Sequence, residues 1–265
     1  MQKRSEAKVA FEGKLFLGRF LVVFVGQGWQ SDWHSHHAVQ LVVAREGTFE
    51  LTTGDVTRRV RAAAIPAGEL HAFDASTTEV ALVLVDRHHA RGASLDAVVR
   101  RGAVEASETL LRVPFPGREP GEALRAADAW VDVLLAEAPP RIPISRAVRL
   151  AVQHLENAIA AHEAPSLAAA AAAVELSPTR LTHRFSAEVG APFRALVPWL
   201  RIARAVAQIS KRDPSHAGRS LSEAAHAAGF VDQGHMSRTF RRAFGLPPAA
   251  FFGAAEVVSL VDGGT

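Results

Sequence analysis

The chain has 265 residues, 48% of them apolar and 22% charged, enough to fill the cores of two ordinary domains and unlike a disordered chain. It has no cysteine, which excludes disulfides, thiol catalysis and cysteine-bound metals. The net charge of +3 is unevenly spread: residues 1–140 carry 16 basic against 18 acidic side chains, and residues 141–252 carry 14 against 7. A basic second half is the footprint expected of a domain that meets a polyanion. No apolar run approaches the roughly 20 residues that span a bilayer. The opening MQKRSEAKVAFEGK has no apolar segment behind its basic residues, so a cytoplasmic protein without membrane attachment is expected.

In chain order, LFLGRFLVVFV, AVQLVVA, TFELTT, RRVRAAAIP and EVALVLV read as strands rich in Val, Leu, Phe and Thr, separated by Gly, Asp and Pro. They predict an antiparallel barrel or sandwich up to about residue 85. A helix near 94–101 and a strand near 109–113 follow, then the punctuated connector PFPGREPG at 114–121. The next segment, EALRAADAWVDVLLAEA, is an amphipathic helix. Its Leu124, Ala127, Val131, Leu134 and Leu135 share one face, and the helix at 122–137 is expected to pair with a second subunit. PPRIP ends it. From 144 onward the text is helical, including a linking helix over about 192–211 that Pro198 should kink or start.

The basic half contains a repeat. SLAAAAAAVELSPTRLTHRFSAEVG (166–190) aligns with SLSEAAHAAGFVDQGHMSRTFRRAFG (220–245), with one residue inserted at the turn. Each copy is a short helix, a turn, an N-cap (Ser177 or Asp232) and a second helix closed by glycine. Leu181, Phe185 and Val189, and in the other copy Met236, Phe240 and Phe244, recur every fourth residue as core stripes. The opposite faces show Thr179, Arg180, Thr182, His183, Arg184 and Ser186, and Gln233, His235, Ser237, Arg238, Arg241 and Arg242. These are donors suited to phosphates and base edges.

GFVDQGHMSRTFRRAFGLPP (229–248) resembles the signature of the arabinose-regulator (AraC/XylS) family of bacterial transcription factors, and LSPTRLTHRF fits that family's first helix-turn-helix. The resemblance covers about 144–252. It implies two helix-turn-helix units set on successive major-groove faces of promoter DNA, an effector-binding sensor domain, RNA polymerase as a partner and a homodimer. Gly234 in place of a serine, Glu175 in place of a turn glycine, and Gly253 in place of an arginine depart from the family pattern.

The stretch WHSHHAVQL then has a context. The order Gly28, His34-Ser35-His36, Gln40, Gly47, followed by Pro66-Ala67-Gly68 and His71, resembles the two cupin motifs, with Gln40 for the usual glutamate, Val60 for a glycine and Ala75 for an asparagine. The resemblance implies that His34, His36, Gln40 and His71 converge, either on a divalent metal (Zn, Ni, Mn or Fe) or as a metal-free polar pocket. Glutamine is neutral and a weak ligand. Trp29, Trp33, Phe49 and Phe73 are candidates for apolar pocket walls or ordinary core. His37 should face away into solvent, and His88 and His89 sit in a polar loop with no assigned role.

The expected architecture is therefore α+β: a cupin-like antiparallel β-barrel sensor over 1–113, a connector and dimerisation helix over 114–143, an all-α DNA-binding domain over 144–253 with two helix-turn-helix units joined by a long helix, and a tail over 254–265. The expected function is a non-enzymatic transcription regulator, in keeping with the activators of that family, controlled by a small molecule or metal. The rival reading is a metal-dependent cupin enzyme with a helical appendage.

Overall fold

The computed structural model describes residues 12–18, 20–136, 143–209 and 217–259. The first apolar run turns at Gly18 and gives two strands, β1 (Gly13–Leu17) and β2 (Leu21–Gln27). With β3 (Ala38–Ala44), β6 (Ala62–Ile65), β8 (Glu79–Asp86) and β9 (Ala255–Ser259) they form a six-stranded sheet in the order β6-β3-β8-β2-β1-β9. A second sheet, β5-β4-β7, comprises β4 (Phe49–Thr53), β5 (Val56–Val60) and β7 (His71–Asp74). All neighbours are antiparallel except β1 and β9.

The large sheet is buried on both faces, which explains why its strands read as continuous apolar runs rather than as alternations. Along β8, Val80, Leu82 and Leu84 enter one core cluster, while Ala81, Val83 and Val85 enter another. The second cluster is closed by α1 (Ala90–Arg101), α2 (Ala103–Leu110) and α3 (Pro120–Ala136) through Leu95, Val99, Leu110, Trp130 and Leu134. The first face is covered by Phe49 and Phe73 of the small sheet and by Trp199, Ile202, Phe240 and Phe251 of the helical half. The strands form two packed sheets rather than one closed barrel.

Three expectations are corrected here. Residues 109–113 are the end of α2 and a turn, not a strand, because the buried Leu110 anchors a helix against the sheet. On α3, the stripe Ala127, Val131 and Leu134 is buried inside its own chain under β1 and β2, so that face is not open to a second subunit. The segment assigned as a tail supplies β9, which pairs in register with β1 from Gly13↔Ala255 to Leu17↔Ser259.

The helical half begins with α4 (Arg146–Ala160). The first unit is α5 (Leu167–Ala172) and α6 (Pro178–Val189); α7 (Leu196–Ile209) leads to the second, α8 (Ala217–Ala227) and α9 (Gln233–Phe244), followed by α10 (Pro248–Ala254). The repeat holds down to its hydrogen bonds. Ser177 accepts from Arg180 N and Asp232 from His235 N, satisfying one orphan donor at each helix start. Gly190 and Gly245 close the second helices at φ 77° and 70°, where a side chain would be strained. Glu175 takes φ 55°, matching Gly229 at φ 74° in the other copy, so the glutamate occupies a true turn-glycine position. Pro198 sits in the first turn of α7, where its missing N–H costs nothing.

The two halves are joined through a buried cation. Arg87, in the turn after β8, pairs with Asp96 at 2.7 Å and donates to Val189 O at 3.1 Å and Gly190 O at 2.8 Å. Side-chain exposures of 5% and 2% mean that neither partner can fall back on water. Arg87→Ala leaves the buried Asp96 with the Ala67 amide and the half-exposed Arg100, and should lower stability by about 3 kcal/mol in urea unfolding. A loss under about 1 kcal/mol would show that the pair bridges nothing of consequence.

Candidate functional site

His34, His36 and His71 lie together where the loop before β3 crosses the start of β7. A two-bond bridge, His34 N to His71 O at 2.9 Å and His71 N to His34 O at 3.0 Å, sets the register. The three are almost fully buried, and one ligand atom from each falls within 4.8 Å of the others. Each ring makes the same local bond to a carbonyl two residues away: Nδ1 of His34 to Asp32 O (2.9 Å), of His36 to Ala38 O (2.8 Å), and of His71 to Glu69 O (3.0 Å). A carbonyl only accepts, so Nδ1 carries the proton in all three and Nε2 is the lone-pair atom.

Burial then keeps the rings neutral. It is the largest cause pulling His34 down to about 4 and His71 to about 2, with neighbouring imidazoles adding to it, and it also lowers His36. Nε2 of His71 has no hydrogen-bond partner. The Gln40 side-chain amide lies against His36 Nε2 at 3.0 Å, and turned to present its NH₂ it donates to that lone pair. Three neutral imidazoles with their second nitrogens clamped on carbonyls could serve as donors to a transition metal. The same lone pairs also suit a ligand that donates hydrogen bonds. Gln40 brings no charge to offset a dication.

His34 and Gln40 also line a chamber of about 350 Å³ between the large sheet and the helical half. Leu15, Phe24, Leu82 and Leu84 form its sheet side, and Trp199 of α7 and Phe244 of α9 its helical side. Trp29 and Phe73 line it as expected, whereas Phe49 is buried core outside its lining. Trp33 is 48% exposed and takes no part, because the loop turns it outward. His37 is buried, not solvated, and stacks on the buried His88 with ring centres 5.8 Å apart. Asp86, His88, His89 and Glu156 add a polar end to the chamber that the sequence reading missed. Asp86 was legible in principle, since it continues the inward face of β8 after Leu82 and Leu84. Glu156 depends on tertiary contact alone.

The polar faces of the repeated helices are turned outward. Ser177, Thr179, Arg180, His183, Arg184 and Ser186 are exposed and Thr182 is half-buried; Asp232, Gln233, Arg238, Arg241 and Arg242 are exposed, with His235 and Ser237 half-buried. The C-terminal end of α9, however, rests on the histidine loop. Asp32 N donates to Gly245 O at 2.8 Å, Ser35 N to Arg242 O at 3.1 Å, and Arg241 forks onto Asp32 Oδ2 at 2.7 and 3.0 Å. A Cβ placed on Gly245 would lie 2.4 Å from Asp32 O and 2.8 Å from His34 Nδ1, so only glycine fits this contact.

Residues 170–254 match the family model of a helix-turn-helix domain. No curated protein matches the chain. Among solved structures, ToxT from Vibrio cholerae is 9% identical, with 92% of this chain and 98% of that chain covered at a TM-score of 0.53. Unsaturated fatty acid-bound wild-type ToxT from the same organism is 8% identical over 96% and 98%, also at 0.53. At these identities the likeness shows a shared two-part fold. Among the described residues, no helix is long and apolar enough to cross a membrane.

The buried imidazoles predict a pH response. His34 and His88, both near 4 in the fold, are neutral there but protonate below about 6.5 in the unfolded chain. The unfolded state therefore binds more protons, and stability is complete above about pH 6.5 and declines toward pH 4. Asp86, raised to about 6 by burial, has the opposite sign but is one group against several. Urea unfolding at pH 5 should show a loss on the order of 2 kcal/mol relative to pH 7.5, steeper in Asp86→Asn. Equal stability at both pH values would mean the imidazoles are not buried bases.

Proposed function

We propose that this chain, which carries an AraC-type helix-turn-helix domain at its C-terminus, is a transcription regulator that grips promoter DNA with α6 and α9 under the control of an effector in the chamber. The observation that carries this reading is the repeat itself: two helices with the same cap, core stripe and αL closure, each turning a basic polar face to solvent. Arg180, His183, Gln233 and His235 read base edges, while Arg184, Arg238, Arg241 and Arg242, with nearby hydroxyls, hold phosphates. Apolar walls with polar ends suit an amphipathic small molecule. The unsaturated fatty acid bound to a ToxT of similar fold supports an apolar-bodied effector. A metal at His34, His36 and His71, weakly aided by Gln40, is the second effector reading, favoured by the three clamped Nδ1 atoms. Recruitment of RNA polymerase and pairing of two copies complete the reading.

Control follows from the docking of α9. Arg241 binds the Asp32 carboxylate, and a DNA phosphate would need the same guanidinium face. An effector acts on DNA affinity only if it favours one of these two states. The 31–35 loop, which bonds both His34 and the end of α9, is the element that differs between them.

Anisotropy titrations of the full chain with DNA from upstream of its own gene test both parts. Arg180→Ala should weaken specific binding by about tenfold or more, and Arg238→Ala should weaken all sequences alike and reduce the salt slope by about 1. Wild-type affinity in both variants would remove the DNA-binding assignment. Asp32→Asn should raise affinity several-fold by releasing Arg241; unchanged binding would sink the coupling while leaving DNA recognition intact.

A further inference from the structure

A second cluster lies on the chamber beyond Trp199. The inward face of β8 runs Leu82, Leu84, Asp86, so a carboxylate follows two leucines into an apolar wall. One Asp86 oxygen accepts from Trp199 Nε1. His88 and His89 follow in the turn that leads into α1, and one ligand atom from each of Asp86, His88 and His89 falls within 4.8 Å of the others. His88 is 3% exposed and its Nδ1 has no hydrogen-bond partner. Glu156 of α4 lines the same end, which gives two carboxylates against one guanidinium, Arg204 of α7.

We propose that Asp86, His88 and His89 form a divalent transition-metal site, separate from the imidazole triad, with its open coordination positions facing the chamber. Two imidazoles and one carboxylate are a donor set that such ions favour, and they commonly leave positions for water or an exogenous ligand. Trp199 supplies the outer-shell hydrogen bond that orients a ligating carboxylate. A dication here would be offset by two carboxylates, Asp86 and Glu156. The Trp199 indole, 6.3 Å from the His36 ring, stands between this cluster and the triad. Glu156, or a donor atom of an effector in the chamber, can complete the shell. Only that last role rests on the effector reading, since metal binding is measured without DNA.

The test uses the full chain stripped with a chelator and titrated with Co(II), read by its visible absorption and by calorimetry. A His34→Ala/His71→Ala double variant removes the triad and should still bind one Co(II). Adding Asp86→Asn or His89→Gln to it should weaken that binding at least tenfold. Circular dichroism and thermal melting check that each variant is folded. The proposal is overturned if the double variant, still folded, binds no Co(II), or if its Co(II) is unmoved by Asp86→Asn and His89→Gln.

Discussion

The arrangement of the two halves depends on how two helix ends are satisfied. An α-helix leaves its last carbonyls without intrahelical donors, and the helix dipole places partial negative charge there. In both repeats the helix closes on an αL glycine, and in both the glycine carbonyl is taken by the β half: Gly190 O by the Arg87 guanidinium, Gly245 O by the Asp32 amide. The donors come from different loops, one before β3 and one after β8, but they meet equivalent positions of the duplicated unit. The β half therefore helps set where α6 and α9 stand, a task that α7 alone would otherwise perform.

This capture ties the chemistry of the triad to α9. Nδ1 of His34 bonds Asp32 O, while the same residue's amide bonds Gly245 O and its carboxylate holds Arg241. Any change in where the His34 ring sits, whether from a metal at Nε2 or from a ligand in the chamber, must be accommodated by Asp32 or by the end of α9. There is little slack, since Gly245 lies too close to Asp32 and His34 for even a methyl group. Close packing of this kind shifts between discrete arrangements rather than deforming smoothly.

Local rules made much of this legible in the sequence. The repeat, its caps and the strands AVQLVVA and EVALVLV all follow from spacing and residue type, while the turn position at Glu175 and the meeting of the histidines are what the family and cupin resemblances imply. What failed was tertiary. Apolar periodicity on α3 marks a buried face but does not say whether the cover is a partner or the chain's own sheet; for Ala127, Val131 and Leu134 it is the sheet. Strand alternation sends His37 away from His36, yet the opposite side holds His88 rather than water. Arg87, Asp32 and Glu156 carry no local signal, because their partners lie far away in sequence.

The two units are not held equally. The first meets the β half mainly through Arg87 at the end of α6 and through Ala93, which packs into its core. The second is held at the histidine loop, across the chamber where Phe251 packs on Trp29 with ring centres 6.0 Å apart, and through β9, which extends the sheet edge at β1 straight after α10. Phe240 and Phe244 of α9 also line the chamber itself. An occupant of the chamber therefore touches the second recognition helix directly and the first only through its neighbours, α4 by way of Glu156 and α7. Binding energy from that occupant acts first on the disposition of α9, and the fixed cap at Gly190 gives it something to move against.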